Sequence, residues 1–98
     1  MFGDPGAIRA LARPLHHRAE ELRDLSGRLL DQARVTTWEG VAADAMRAAV
    51  GGSARSLRRT ADLHDEAATA LDRHADHVAS AIAAIERALH ALKKALGA

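Results

Sequence analysis

The sequence predicts an all-α protein, built as a hairpin of two antiparallel helices. Its composition favours helices: 48% of the 98 residues are hydrophobic, yet only 2% are aromatic, and 24 residues are alanine, the strongest helix former. Two long segments repeat their apolar residues at helical spacing, and only a few residues separate them. Because so short a connection brings neighbouring helices together in opposite directions, an antiparallel helical hairpin is expected.

The first helix is expected over residues 5–34. Asp4 followed by Pro5 is a strong helix start, because the carboxylate can accept a hydrogen bond from an early amide and proline suits the first helical position. Pro14 conflicts with a helix interior, so the sequence predicts either a kink there or a later helix start. One apolar stripe follows this segment: Ile8, Leu11, Leu15, Leu22, Leu25 and Leu29, with Ala12, Ala19 and Ala33 beside it.

The second helix is expected over residues 40–95. Thr36-Thr37-Trp38-Glu39 has the form of a capping box, in which the hydroxyl and the glutamate each satisfy a free amide at the helix start. Two glycines at Gly51-Gly52-Ser53 predict a kink or a break, since an interior glycine costs roughly 1 kcal/mol. Apolar residues recur along one face: Val50, Leu57, Leu71, Val78, Ile85 and Leu92, widened by Ala61, Leu63, Ala68, Ala75, Ile82, Leu89 and Leu96. The whole chain, 1–98, is thus read as one hairpin domain with an elbow at 35–40.

The two predicted helices differ in length, which bears on function. A helix of ~30 residues is about 45 Å long and one of ~55 residues about 80 Å, so the first cannot cover the second. The uncovered end carries apolar residues that a soluble monomer rarely leaves in water. We therefore expect a partner interface at Leu71, Val78, Ile82, Ile85, Leu89 and Leu92. The alternative is a break at the glycines, giving segments 5–34, 38–50 and 54–95 that fold into a three-helix bundle.

Charge and cysteine content exclude several classes of protein. Fourteen basic residues against 13 acidic ones give a net charge of +1, so no nucleic-acid partner is expected. The chain has no cysteine, which excludes disulfides and thiolate metal sites. No segment approaches the ~20 apolar residues of a membrane span. The first 15 residues are interrupted by charges and proline, so they are not expected to act as a cleavable signal peptide.

No catalytic residue, cofactor or metal site is expected. The serines lack the context of a nucleophile, and Gly51-Gly52-Ser53 lacks the sequel of a phosphate loop. His74 and His77 stand one turn apart and could share a metal with Asp76 or a partner's residue, but a metal site needs three or four ligands at a defined geometry, so none is expected. The remaining candidates have structural interpretations: His16, His17 and His90 as solvated, His64 and His74 as interface histidines, and Arg47, Arg55, Arg58 and Arg59 as solvated or paired across an interface.

The tripeptide Trp38-Glu39-Gly40 is the most informative motif. A lone tryptophan at the elbow can cap the end of a hydrophobic seam, and a glycine two residues later lets backbones approach closely. With a chain near one hundred residues and a long helix on each side, this elbow resembles the WXG100 family of small ESAT-6-like proteins. Trp38 and Gly40 supply the namesake motif, and Ala42-Ala43-Asp44-Ala45-Met46 continues in the style of actinobacterial members.

The resemblance implies a non-enzymatic hairpin that pairs with itself or with a second WXG100-like protein into a four-helix bundle. It also implies export by a type VII (ESX-like) secretion system without a cleaved signal, from the cytoplasm where the protein resides before export. In the family, a Tyr-x-x-x-Asp/Glu motif contributes to recognition by the secretion ATPase, but this chain has no tyrosine. A partner is therefore expected to supply that signal.

Two other functions stay open on the sequence. One is a helical adaptor that binds the helical targeting domain of a larger secreted effector or toxin. The other is an unrelated helical bundle, such as a nucleic-acid binder with a basic face. Export into the medium, its dependence on a larger companion, and salt-dependent DNA binding separate the three functions.

Overall fold

The computed structural model describes residues 3–97, which form two helices and no strand. Helix α1 spans Pro5–Val35 and helix α2 spans Val41–Gly97. They run antiparallel, since Arg9 near the start of α1 contacts Asp76 far along α2, while Ser26 contacts Ala54. The molecule is a rod with extents of 87 × 17 × 14 Å. The expected all-helical architecture of two helices is confirmed.

Helix α1 begins where the sequence indicated and runs through its internal proline. Asp4 is the N-cap, and its Oδ1 accepts a hydrogen bond from the amide of Gly6 at 2.9 Å, with Pro5 in the first turn. The later start near Pro14 is wrong, since the helix already begins at Pro5. Pro14 and Ala10, whose carbonyl Pro14 cannot bond, are both exposed, so water can satisfy that carbonyl.

The capping box predicted at Thr36–Glu39 is wrong. Thr36 is instead the C-cap of α1, where its hydroxyl donates to the carbonyl of Gln32 at 2.9 Å. Helix α2 starts only at Val41, and the amide of Asp44 donates to the carbonyl of Gly40 at 3.0 Å. The amide of Glu39, which the box would pair with Thr36, therefore lies before the first turn of α2, so Thr36 cannot cap that helix.

Helix α2 is continuous through Gly51 and Gly52, so the three-helix alternative is wrong. Both glycines are half-buried, and Ala43 and Ala54 on either side of them are fully buried. Packing against α1 therefore holds the helix together across a pair of residues with poor helix propensity, which is the usual outcome when tertiary contacts and propensity compete.

Small residues, not leucines, occupy the line of contact between the helices. The alanine seam consists of residues spaced by seven and at most 1% exposed: Ala12, Ala19 and Ser26 on α1, with Ala54, Ala61, Ala68 and Ala75 on α2. The leucines of the predicted stripe, such as Leu15 and Leu22, are half-buried beside this seam. Because alanine has almost no side chain to interpose, two helices with alanine at the contact can approach more closely than leucine allows.

Ser26 is the polar member of the alanine seam and its largest fully buried side chain. Its hydroxyl donates to the carbonyl of Ala54 at 3.0 Å and accepts from Nε of Arg58 at 3.2 Å. A buried hydroxyl needs such partners. The arginine is specific to one alignment, since a shift of seven residues along α2 would put Gly51 or Asp65 in its place. Ser26 therefore favours the observed register of α1 against α2.

We predict that Ala61→Leu lowers the stability of the hairpin, because a leucine at a fully buried seam position has to push the helices apart. Overpacking of this kind costs about 1–3 kcal/mol. Ala70→Leu, on the exposed side of the same helix, is the matched control. Urea unfolding followed by far-UV circular dichroism measures both, and equal midpoints for the two variants would contradict the close contact along the alanine seam.

Candidate functional site

The hairpin has two chemically different sides, divided by the alanine seam. Because α1 and α2 are antiparallel, residues at the same offset from the seam on each helix lie on the same side of the rod. Residues four positions after a seam residue are mostly charged, and residues four positions before one are mostly apolar. We name these sides the ionic edge and the apolar face.

The ionic edge pairs cations of α1 with carboxylates of α2. His16 Nδ1 lies 2.8 Å from Asp65 Oδ1, and His16 Nε2 lies 3.7 Å from Asp72. Arg23 reaches Asp62 at 2.9 Å and the second oxygen of Asp65 at 2.6 Å. Arg9 pairs with Asp76 nearer the start of α1. The ionic edge is thus a ladder of contacts between helices: Arg9, His16 and Arg23 with Asp62, Asp65, Asp72 and Asp76.

Asp65 is the centre of this ladder because it binds two cations at once. Its hydrogen bond raises the pKa of the His16 imidazole above the usual value, and the carboxylate of Asp72 adds to that effect. The hydrogen bonds from His16 and Arg23 in turn lower the pKa of the Asp65 carboxyl. All these groups remain partly in water, where ion pairs contribute little stability. The ladder therefore favours one alignment of the two helices but contributes little to the stability of the hairpin.

These contacts change what the sequence predicted for two residues, His16 and Asp76. His16 was expected to be solvated, but it is half-buried and paired across the hairpin. Asp76, considered with His74 and His77 for a metal, is engaged by Arg9. Within residues 3–97, no three His, Asp or Glu side chains are placed to hold a metal ion together.

The apolar face lies on the opposite side of the seam. Its rows are Ile8, Leu15, Leu22 and Leu29 on α1, with Val50, Leu57, His64, Leu71 and Val78 on α2. Ile8 is buried and the others are half-buried, so the face is only partly covered by its own neighbours. His64 stands in the middle of the α2 row, where its Nδ1 lies 2.8 Å from the carbonyl of Thr60. This face carries no Asp, Glu, Lys or Arg in its rows.

The apolar row of α2 continues past the start of α1 into a segment that we name the overhang, residues 82–97. These 16 residues extend for about 24 Å. Ile85, Leu89 and Leu92 are 59%, 60% and 56% exposed there. Of the residues predicted as a partner interface, Leu71 and Val78 thus lie in the apolar face, while Ile82, Ile85, Leu89 and Leu92 lie in the overhang. Their role as an interface stays a prediction.

The connection, residues 36–40, is held by an arginine. Arg47 lies at the seam register, seven residues before Ala54, and its guanidinium reaches back to donate to the carbonyls of Ala33, Thr36 and Trp38. The end of a helix leaves carbonyls without partners, and Arg47 satisfies them with a charged donor. The sequence interpretation placed Arg47 in a solvated cluster and missed this role, although its heptad position was a signal for it.

Trp38 and Gly40 have different roles from those expected. The indole of Trp38 is 51% exposed, and Val35 and Val41 beside it are 75% and 87% exposed, so Trp38 does not close the seam. A Cβ on Gly40 would meet no heavy atom within 4 Å, so the close backbone approach expected at this glycine is wrong. Gly40 has φ of +109°, a conformation that favours glycine, and this explains why glycine stands there.

We predict that Arg47→Ala destabilises the hairpin by about 1–3 kcal/mol, because the carbonyls at the end of α1 lose a charged donor. Arg59→Ala, at an exposed position of the same helix, is the control and is expected to change little. Thermal unfolding of both variants checks this. A loss for Arg59→Ala as large as for Arg47→Ala would contradict a specific role of Arg47 in the connection.

We also predict a pH dependence that comes from His16. Its pKa is raised in the folded state, so the pair with Asp65 stabilises the fold fully below about pH 6.5, the unfolded value. That contribution is lost as the pH rises through the folded pKa. His16→Asn is expected to flatten this fall in melting temperature, whereas His90→Asn on the overhang is expected to keep it. A slope that persists in His16→Asn would assign it to another group.

Comparison with known proteins places this architecture in a family. No described helix is long and apolar enough to cross a bilayer. No curated protein and no solved structure matches the chain. Residues 1–98 match a family described as "Putative T7SS secretion signal domain", where T7SS is the type VII secretion system. The match links the chain to the type VII route and its machinery, as a substrate. It covers the whole sequence, and the chain therefore belongs to the T7SS secretion signal domain family.

Proposed function

We propose that this domain is a non-enzymatic export module that pairs with a second helical hairpin into a four-helix bundle and leaves the cell through a type VII system in that form. The unpartnered apolar surface of the hairpin supports the pairing, and the family supports the route. The Trp38–Gly40 motif further supports a relationship to the WXG100 family.

The exposed area is the observation that carries the proposal. The chain has 7386 Å² of accessible surface, whereas a compact monomer of this mass has about 5400 Å². The larger surface is that of a rod only two helices thick, and the apolar face and the overhang are part of it. Single exposed hydrophobic residues are ordinary, but a contiguous apolar surface this long marks an interaction site. Two helices alone also enclose no core beyond the alanine seam, so a partner supplies the missing layers.

The connection supports a second part of the proposal, contact with the export machinery. Arg47 holds the connection, so the half-exposed indole of Trp38 is not required to hold it. Tryptophan is enriched among residues that dominate protein interfaces, because it offers a large apolar surface with one polar group. We propose that Trp38 contacts the partner or the secretion ATPase, and that the partner contributes the tyrosine-based signal that this chain lacks.

The adaptor function remains the second candidate, because the family is described as a signal domain. In that case the domain directs a larger effector into the export route. The two functions differ in what export requires: an independent substrate reaches the medium without a companion effector, and an adaptor does not. Expression of the domain with and without effector genes in a strain with an active type VII system separates them.

We predict that Trp38→Ala reduces the amount of protein in the culture medium several-fold while leaving its thermal stability nearly unchanged. The physical reason is that about half of Trp38 is exposed to water, so its truncation removes few contacts from the fold. Leu63→Ala is the matched control, since Leu63 is a large apolar residue that is also exposed, at 62%. Secreted and cellular fractions are compared by immunoblot, with a strain lacking the secretion ATPase as the baseline.

Three results would contradict parts of this proposal. Wild-type protein in the medium of the strain without the ATPase would exclude the type VII route. Equal secretion of the Trp38→Ala and wild-type chains would exclude Trp38 as a recognition residue. A large loss of melting temperature in Trp38→Ala would show that the indole acts in folding.

A further inference from the structure

We propose that the hairpin has a second interaction surface, an arginine patch that binds an acidic segment of another protein. The arginine patch consists of Arg55, Arg58 and Arg59 on α2, within a stretch, residues 45–61, that contains no Asp or Glu. Arg58 stands four residues after Ala54, which places the patch on the ionic edge and away from the apolar face. The proposal therefore goes beyond the proposed function and depends on neither pairing nor export.

The ionic edge changes in character toward the connection. Farther along the rod, cations of α1 face carboxylates of α2, as Arg23 faces Asp62 and Asp65. Nearer the connection α2 carries arginine instead, but the α1 residue of the edge is Leu30. None of the three arginines of the patch has a carboxylate at ion-pair distance in the part of the chain that the structure describes. Carboxylates from outside would complete the row of ion pairs.

Arg58 is the best-positioned donor of the arginine patch. Its Nε donates to Oγ of the buried Ser26 at 3.2 Å, which fixes the guanidinium against both helices. Its two terminal nitrogens donate to no acceptor within residues 3–97. A planar fork of two N–H groups matches the two oxygens of a carboxylate. Because the side chain is already held, it loses little rotamer freedom when a carboxylate binds.

Arg55 lies over two residues that have no side chains. A Cβ on Gly51 would lie 3.7 Å from its Nη1, and a Cβ on Gly52 would lie 3.9 Å from its Nη2. The guanidinium therefore rests on a surface of α2 where no side chain of these glycines holds a partner away. Arg55 and Arg59 stand four residues apart on one helix, where like charges repel. Carboxylates bound between them would remove that repulsion.

The extent of the arginine patch favours a short acidic segment over a nucleic acid. The patch spans about 6 Å of helix, which two or three carboxylates spaced by one helical turn can cover. Asp62, Asp65 and Glu66 follow within two turns, and the whole chain has a net charge of only +1. A chain of phosphates continues past the patch and meets these carboxylates. An acidic peptide can end or change sign at that point.

Fluorescence anisotropy with the full chain tests the proposal. The probe is a labelled, alanine-based helical peptide with glutamate at positions i, i+3, i+4 and i+7. The same peptide with glutamine at these positions is the control. We expect the glutamate peptide to bind about tenfold more tightly or better, because each carboxylate accepts charge-assisted hydrogen bonds. Added salt is expected to weaken this binding.

Four variants locate the binding. Arg55→Gln and Arg58→Gln are each expected to weaken binding of the glutamate peptide about tenfold. Arg58→Lys keeps the charge but not the planar fork, so a several-fold loss is expected. Arg87→Gln is the matched control, since it removes the same charge from an exposed position of α2 far from the patch, and no change is expected. Circular dichroism checks folding, and Arg55→Gln leaves the contact between Arg58 and Ser26 intact.

Three results would overturn the proposal. Equal affinity of the wild-type chain for the glutamate and glutamine peptides would exclude an acidic segment as the ligand. A loss in Arg87→Gln as large as in Arg55→Gln would reduce the effect to net charge. A labelled DNA duplex that binds more tightly than the glutamate peptide at the same salt, and loses affinity in Arg55→Gln, would assign the arginine patch to nucleic acid.

Discussion

The close contact of α1 with α2 along the alanine seam is the constraint on which the rest of the molecule depends. With alanine and one serine at the contact, the helices lie close, and no large side chain can be enclosed between them. The leucines where the two helices are paired, such as Leu15, Leu22 and Leu57, therefore lie beside the seam. The register that Ser26 favours then decides which charges face one another and how far α2 extends past α1.

The seam also limits the stability that the hairpin has by itself. Burial of a methyl-sized group contributes roughly 0.8 kcal/mol, whereas ordering the backbone of one residue costs roughly 1–2 kcal/mol. A row of alanines cannot offset the ordering of a rod 87 Å long. The ionic edge adds little, because its groups remain hydrated. The missing stabilisation has to come from the half-buried leucines and valines, and they become fully buried only when another molecule covers the apolar face. Under the proposed pairing, folding and association of this chain are therefore coupled.

Local signals in the sequence predicted the helices well and their contacts less well. The Asp4-Pro5 start and the seven-residue periodicity are properties of a single helix, so they can be recognised from the sequence alone. The capping box at Thr36–Glu39 failed because Thr36 ends helix α1 and helix α2 begins only at Val41, five residues later. His16 and Arg47 were interpreted as solvated because their partners lie on the other helix or in the connection, and a single helical stripe does not reveal such partners. The periodicity predicted the leucine stripe, but it did not predict that the leucines lie beside the helix contact. That position depends on how closely the two helices approach.

The composition of the proposed bundle has a consequence for recognition by the export machinery. Two identical hairpins packed antiparallel would carry the connection of one copy and the overhang of the other at each end, so both ends would present the same composite surface. A secretion ATPase that reads this surface meets it whichever end arrives first. A heterodimer presents two different ends and can be read at only one of them. The absence of tyrosine from residues 1–98 has a different meaning in each case. A heterodimer can obtain the tyrosine-based signal from the partner. In a homodimer of this domain, Trp38 is the exposed aromatic side chain among residues 3–97 that the machinery could contact. The choice of partner and the location of the export signal are therefore one question, and the composition of the bundle decides both.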